Sequence, residues 1–404
     1  MKYNALYGQS GGPTAIINSS LYGVIKECEK NKKHIDTLFI MRNGIGGLIN
    51  NDLVNVKTLS KKEIDLLPYT PSAICGSIRK KLNTPSLEDK EYQKILKTLK
   101  ENNIRYIFLN GGNDSMDTAL KLAKFFELAS YEGYVIGVPK TIDNDLVHTD
   151  HTPGFGSAAK FLANTMKCLT YDNNCYTKGR VNIVEIMGRD AGWLTASSVI
   201  AKKDGCGPDL VYVPETNFSI DEFLKDVEKI YKKKQRVLVA ISEGIHDKDG
   251  NLILPNTKSD AFNHAQLGGV GLYLSQIVEE KLNISTRAIE LSLLQRSFAP
   301  LISKNDQIEA IRCGEYAVKF ALQHKTCVMV TMIRENTKNN KYKIKYGCED
   351  INNIANKVKY LNKEFINKKH NNINDNFIDY ISPLIAGKVD SKEIDGLHQF
   401  TRKF

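Results

Sequence analysis

Short apolar runs alternate with longer amphipathic ones along most of the chain, and this alternation restricts the folds open to it. Apolar runs that read as buried strands lie at 3–7, 37–41, 106–109, 134–138, 181–186, 237–241, 287–291 and 328–332. Between many of them the apolar residues recur at helical spacing, as at 115–127, 154–170, 191–202, 222–234 and 307–323. Strands and helices in such alternation bury their apolar faces together as an α/β fold with mainly parallel sheets. With 404 residues, 42% of them hydrophobic, the chain has material for two or more such units, and no internal repeat is visible. In open α/β sheets ligands bind at the carboxyl ends of the strands. The loops that follow the strands therefore carry the functional question.

Four of these loops hold unusual chemistry. "GQSGGPTAIIN" follows the first strand; Gly11 and Gly12 let the backbone approach a ligand closely, and Pro13 suits a first helical turn. Exposed N–H groups there could hold a phosphate, or the glycines could serve only a turn. No Lys-Ser/Thr pair follows, so this is not a P-loop, and the spacing lacks the G-x-G-x-x-G of a dinucleotide-binding dehydrogenase. "FLNGGNDSMDTA" repeats the arrangement, with Asn113, Asp114 and Ser115 where a helix begins. One of them can cap that helix; an acid beside glycines can also hold a metal or shape a phosphate site.

"VPKTIDND" places Lys140, Thr141, Ile142, Asp143 and Asp145 in one loop. Two aspartates two residues apart face the same way in extended backbone. Such a pair needs a cation or one raised pKa. One of them can then hold Mg²⁺, directly or through water, while the other acts as general base, and Lys140 faces a phosphate. A solvated charged turn is the alternative. In "VEIMGRDAGW" a buried strand ends at Met187, Gly188 turns, and Arg189 projects where developing phosphoryl charge could be stabilised. Trp193, the only tryptophan, reads as a packing residue.

Glu243 in "VAISEGI" ends another strand, and Arg180, Arg287 and Arg296 are candidates for bidentate contact with a sugar phosphate. His148 and His151 have a spacing that zinc could use, but the surrounding carboxylates favour a hard cation. The net charge of +10 comes from lysines spread along the chain, densest towards the C-terminus. Without a Cys/His finger or an aromatic-basic platform, that charge does not point to nucleic acid. Eight scattered cysteines, with no C-x-x-C pair, read as reduced thiols of a cytosolic protein. "MKYNALYGQ" lacks the apolar region of a secretory leader, and no apolar run is long enough for a membrane span. From Lys338 onward the chain is rich in Lys and Asn and reads as a peripheral extension.

In order, these motifs resemble the phosphofructokinase family over most of the first 335 residues, with "PKTIDND" and "MGRDAGW" the most specific. Within it the chain is most similar to the pyrophosphate-dependent branch, which carries Lys where Lys140 stands and an acid where Asp114 stands. ATP-dependent relatives have Gly at both. The resemblance implies two Rossmann-like domains with the active site in the cleft between them: residues 1–153 plus about 294–345 for the phosphoryl donor, and 154–293 plus about 346–404 for the sugar phosphate. It implies transfer from pyrophosphate to the 1-hydroxyl of fructose 6-phosphate with Mg²⁺.

By this resemblance Asp143 is the base, and Asp145 with Asn113 serves the metal. Lys140 and Thr141 bind the phosphoryl group, Ile142 beside them is a substrate-binding position, Arg189 stabilises the transition state, and Gly11 and Gly12 touch pyrophosphate. Met187, Gly188 and Glu243 line the sugar site, and Arg180, Arg287 and Arg296 neutralise the 6-phosphate. The first two of these arginines come from a neighbouring subunit in the family, which implies a homo-oligomer, dimer or tetramer. Two positions depart from the family pattern: Asn113 replaces a metal-binding Asp, and Leu293 stands at a sugar-site His of ATP-dependent relatives. An ATP-dependent phosphofructokinase is the nearest alternative. A non-catalytic regulatory subunit of the same fold would be expected to lose Asp143 or Arg189, and this chain keeps both.

Overall fold

The computed structural model describes residues 2–254, 268–335, 341–402 and 404. Their strands form two main sheets. Seven strands make the larger: β1 (Tyr3–Gln9), β2 (Ile35–Met41), β3 (Leu53–Asn55), β4 (Ile104–Gly111), β5 (Tyr134–Pro139), and, late in the chain, Val328–Arg334 and Ile344–Asp350. The smaller contains β6 (Val181–Ile186), β7 (Leu210–Tyr212), β8 (Val237–Ser242) and β9 (Thr286–Glu290). With Val328–Arg334 as β10 and Ile344–Asp350 as β11, the larger sheet runs β11-β10-β5-β4-β1-β2-β3 and the smaller β7-β8-β6-β9. The smaller sheet is parallel throughout, and the larger is parallel except at its edges, where β3 and β11 pair antiparallel.

The central strands read as continuous apolar runs because both their faces are covered. Side chains alternate across the larger sheet. Tyr7, Phe108 and Ile136 enter one core with the helices Ile17–Lys30 and Lys304–Leu322; Leu6, Ile107 and Val135 enter the other with Lys90–Glu101 and Asn113–Leu128. The smaller sheet packs one face on the helices Ile220–Lys234 and Val270–Leu282, and the other on Phe155–Asn174 and Trp193. Among the described residues no helix is long and apolar enough to cross a membrane.

The eight expected strands are all present, β6 with the expected bounds and the rest within a few residues of theirs. The strands β3 and β7, three residues each, are too short to stand out in sequence, and β11 is a half-exposed edge strand rich in polar residues. The expected helix at 191–202 divides into Trp193–Ser197 and a 3₁₀ stretch, Ser198–Asp204.

The segment after Lys338 is not peripheral. Ile351 and Ile354 are buried in a core of the larger sheet, and Leu361, Phe365, Phe377, Ile381 and Leu384 in a core of the smaller sheet. Trp193 packs against Phe365, Phe377 and Tyr380 from this segment. The apolar residues responsible are widely spaced among Lys and Asn, so average composition conceals them.

Candidate active site

Loops at the carboxyl ends of β1, β4 and β5 meet those of β6 and β8 around a cavity of about 420 Å³. It is lined by Gly11, Gly12, Asn113, Asp114, Lys140, Thr141, Ile142, Asp143, Asp145, Met187, Arg189, Glu243 and Arg296, all expected from sequence.

On the side of the larger sheet, Gly11 sits at φ +75°, a conformation that favours glycine, and its carbonyl accepts from Ser77 Oγ at 2.7 Å. Lys140 is buried and its Nζ donates to the Gly12 carbonyl at 2.5 Å, which ties the loop after β5 to the loop after β1. The helix Asn113–Leu128 starts directly after β4 and presents its amino end to the cavity, with Asp114 exposed in its first turn. Unpaired N–H groups and a positive dipole end favour anions at such a terminus.

The loop after β5 is held by its own side chains. Asp143 N–H donates to Thr141 Oγ1 at 3.0 Å, and the Thr141 carbonyl accepts from Thr152 Oγ1 at 2.8 Å. Between the two aspartates, Asn144 adopts φ +54° and is buried away from the cavity. Asp143 and Asp145 therefore share the cavity wall although the backbone is not a strand. Burial raises Asp143, opposed by Lys140. Burial and the neighbouring Asp143 push Asp145 up to about 7. Burial lowers Lys140 to about 8 despite the two carboxylates.

On the side of the smaller sheet, Met187 N–H donates to the buried Gln295 Oε1 at 3.0 Å. The Gly188 carbonyl accepts from Ser242 Oγ, and its N–H donates to Glu243 Oε1 at 3.4 Å. Gly244 follows because a Cβ there would lie 1.8 Å from the Arg189 carbonyl oxygen; this close approach fixes where Arg189 enters the cavity. Arg189 Nε and Asp145 Oδ1 are both buried with no partner among the described residues. Buried polar atoms are seldom left unmatched, so both suit a bound ligand. Burial raises Glu243 to about 7.

Other expected residues fall elsewhere. Gly188 supports the cavity without lining it. Arg180 precedes β6 and Arg287 pairs beside Asn182 near the start of β9, so both lie at the opposite strand ends from Met187. Leu293 is 56% exposed and also lies outside the cavity lining.

Asn113 has both amide atoms engaged: Oδ1 accepts from Asn356 N–H at 2.6 Å, and Nδ2 donates to the Lys357 carbonyl at 2.5 Å. The two bonds clip the amide to another segment, and Oδ1 keeps one further lone pair. His148 is exposed, while His151 is buried between Asp150 and Glu309, each at 2.8 Å. Among the described residues no group of three or more His, Cys, Asp and Glu gathers to hold a metal. A cation here would complete its shell with water or substrate oxygens.

Sequence reading missed Arg79, Asn356 and Val358, which also line the cavity, and Gln295 behind it. Arg79 lies in the basic run "IRKK", which has no feature to separate it from a solvated face. Asn356 and Val358 lie in the Asn/Lys-rich segment.

The phosphofructokinase family profile matches residues 4–321. The chain is 35% identical over 390 residues, 96% of this chain and 93% of the other, to a pyrophosphate–fructose 6-phosphate 1-phosphotransferase of Halomonas elongata. It is also 35% identical, over 83% of its length and 84% of the other, to a sulfofructose kinase of Alkalicoccus urumqiensis. The crystal structure of a pyrophosphate-dependent phosphofructokinase from Nitrosospira multiformis superposes with a TM-score of 0.90 at 34% identity, covering 100% of this chain and 96% of that one.

Proposed function

The chain belongs to the phosphofructokinase family, and we propose that it transfers a phosphoryl group from pyrophosphate to the 1-hydroxyl of fructose 6-phosphate, reversibly. The products are fructose 1,6-bisphosphate and phosphate. The observation that carries this reading is that Lys140 and Asp114 line the cavity from loops of the larger sheet, and Met187 and Glu243 line it from loops of the smaller. A buried ammonium suits a compact polyphosphate, whereas a carboxylate there repels a third phosphate with a nucleoside attached.

In the forward direction Asp143 takes the proton of the 1-hydroxyl. That oxygen forms its bond to the distal phosphorus as the bridging P–O bond of pyrophosphate breaks, and phosphate leaves. Burial makes Asp143 a stronger base than an ordinary carboxylate. Lys140 and Arg189 face the oxygens on which charge develops, and positioning with electrostatics supplies most of the acceleration in such transfers. Asp145, with its unmatched buried Oδ1, is the residue that would hold Mg²⁺. The bound ion would neutralise phosphate oxygens. Asn113, its amide held by residues 356 and 357, would contribute at most the remaining lone pair of Oδ1 or a bridging water.

The division of labour follows the sheets: donor contacts come from the loops of β1, β4 and β5, and sugar contacts from those of β6 and β8. This supports 1–153 plus about 294–345 as the donor unit and 154–293 as the core of the sugar unit; of the segment 346–404 assigned to the second unit, β11 and residues 351–355 stay with the larger sheet, and Leu361, Phe365, Phe377, Ile381 and Leu384 join the smaller. For Arg180 and Arg287 to reach a sugar phosphate, a second copy must bring them, so the working form is a homo-oligomer.

The test is a steady-state assay of wild type, Asp114→Gly and Lys140→Gly with Mg²⁺, fructose 6-phosphate or sulfofructose as acceptor, and pyrophosphate or ATP as donor. Wild type should use pyrophosphate and fructose 6-phosphate and be nearly inactive with ATP. Asp114→Gly should bring ATP turnover to a measurable level, and Lys140→Gly should depress pyrophosphate use more than sugar-phosphate affinity. ATP turnover in wild type equal to that with pyrophosphate would overturn the donor assignment.

A further inference from the structure

The wall behind the donor site is a strap from the C-terminal segment, pinned on both sides. At its start Asn113 clips the backbone of Asn356 and Lys357, and Asn356 Nδ2 donates to Asp117 Oδ1 at 3.1 Å on the same helix. Ile351, Ile354 and Ala355 anchor the approach in the core that holds Met116 and Ala119. At its end Lys359 N–H donates to the Asp145 carbonyl at 2.8 Å. The Lys359 ammonium donates to Asn144 Oδ1 at 3.1 Å, the Thr149 carbonyl at 3.1 Å and the Asp150 carbonyl at 2.9 Å. Trp193 Nε1 donates to the Lys359 carbonyl at 2.9 Å.

Between these pins, Asn356 and Val358 face the cavity beside the start of the helix Asn113–Leu128. A pyrophosphate held by Gly11, Gly12 and Lys140 has the acceptor on the side of Met187 and Glu243. Asn113, Asp114 and Ser115 line this same cavity with Asn356 and Val358, so a longer donor extending along that wall would meet the strap. Asn113 suits a clip because one amide supplies both an acceptor and a donor to a fixed backbone register. An aspartate would lose the donor, and an alanine both bonds.

We propose that residues 356–359, clipped by Asn113, set the length of the phosphoryl donor. The strap closes the cavity behind two phosphates and shuts out donors that carry a third phosphate or a nucleoside. This rests on the reading of the chain as a pyrophosphate-dependent phosphotransferase, and it adds a steric filter to the charge of Asp114.

The experiment compares wild type, Asn113→Ala and Val358→Ala with pyrophosphate, inorganic tripolyphosphate and ATP, alongside amide hydrogen exchange of the segment containing Asn356 and Lys357. Asn113→Ala should speed exchange there. It should also raise kcat/KM for tripolyphosphate relative to pyrophosphate by at least about tenfold, the scale on which a pocket wall discriminates by size. Val358→Ala, which leaves every pin in place, should move the ratio in the same direction by less. It carries the test if Asn113→Ala does not fold. Faster exchange with an unchanged donor ratio in a wild type that turns over pyrophosphate overturns the strap's role alone, as does unchanged exchange in Asn113→Ala. A wild type without pyrophosphate turnover overturns the functional reading, and the donor filter with it.

Discussion

At the donor end of the cavity, three adjacent central strands deliver Gly11, Gly112 and Lys140, and a strap of the same chain closes the wall behind them. At the acceptor end, β6 and β8 deliver Met187, Arg189 and Glu243, but the sheet then stops at β9, a half-exposed edge strand. Arg287 on that strand is exposed, and Leu272, Leu293 and Leu294 nearby in sequence are 56%, 56% and 54% exposed. An edge strand with no further strand beside it among the described residues, flanked by exposed apolar residues, is what proteins usually cover. On the proposal that a second copy lends Arg180 and Arg287, one chain supplies the donor half and only part of the acceptor half. The chemistry of the first is testable by point mutation in a single chain, whereas the second calls for two.

The largest effect is expected where the halves meet. Asp143→Asn should reduce kcat by about two to four orders of magnitude, the usual range for a general base, while calorimetry shows sugar-phosphate binding retained. Turnover near wild type would remove Asp143 from the mechanism. Arg189→Ala comes next, with a loss of about two to three orders in kcat and little change in KM, because its contact strengthens as phosphoryl charge develops. A raised KM with unchanged kcat would make Arg189 a ground-state ligand only.

The pH profile of kcat/KM separates the halves less drastically. Asp143 must be ionised to accept the proton, and burial raises it together with Asp145, which lies at about 7. The pair titrates as a unit, so activity should fall as pH drops below that region. On the alkaline side Lys140, lowered to about 8 by burial, loses its charge, and pyrophosphate affinity should weaken. A profile flat between pH 6 and pH 9, roughly the span of these titrations, would contradict both assignments. The smallest effect belongs to the acceptor edge: Arg287→Ala should raise the KM for fructose 6-phosphate by about tenfold, the loss of one charge-assisted hydrogen bond, and leave that for pyrophosphate unchanged.

Legibility in the sequence follows the same contrast. The buried strands announced themselves because both faces are apolar, and the loops at their ends held the residues of the cavity, from Gly11 to Glu243. Local spacing even placed Asp143 and Asp145 on one wall, although a positive-φ Asn144 rather than a strand achieves it. Contacts across long sequence separations were not legible. Nothing around Asn113 shows that its amide is committed to residues 356 and 357, more than 240 positions away. Nor does an Asn/Lys-rich tail betray that Phe365 and Phe377 pack on Trp193. Sparse apolar anchors in a polar segment carry little periodicity, and their meaning depends on the surface they meet.

Mixing two crippled variants tests most directly whether the acceptor half is completed by a second copy. Asp143→Asn lacks the base in its own cavity, and Arg180→Ala/Arg287→Ala lacks the arginines it would lend. In a closed symmetric dimer, random mixing at equal amounts pairs half the chains as hybrids, each with one intact site of two, so about a quarter of wild-type activity should return at subsaturating fructose 6-phosphate. Recovery near that level, absent from either variant alone, is what a shared acceptor site predicts. A mixture no more active than the mean of its two components, under conditions where the subunits are shown to exchange, would mean that each chain builds its acceptor site alone.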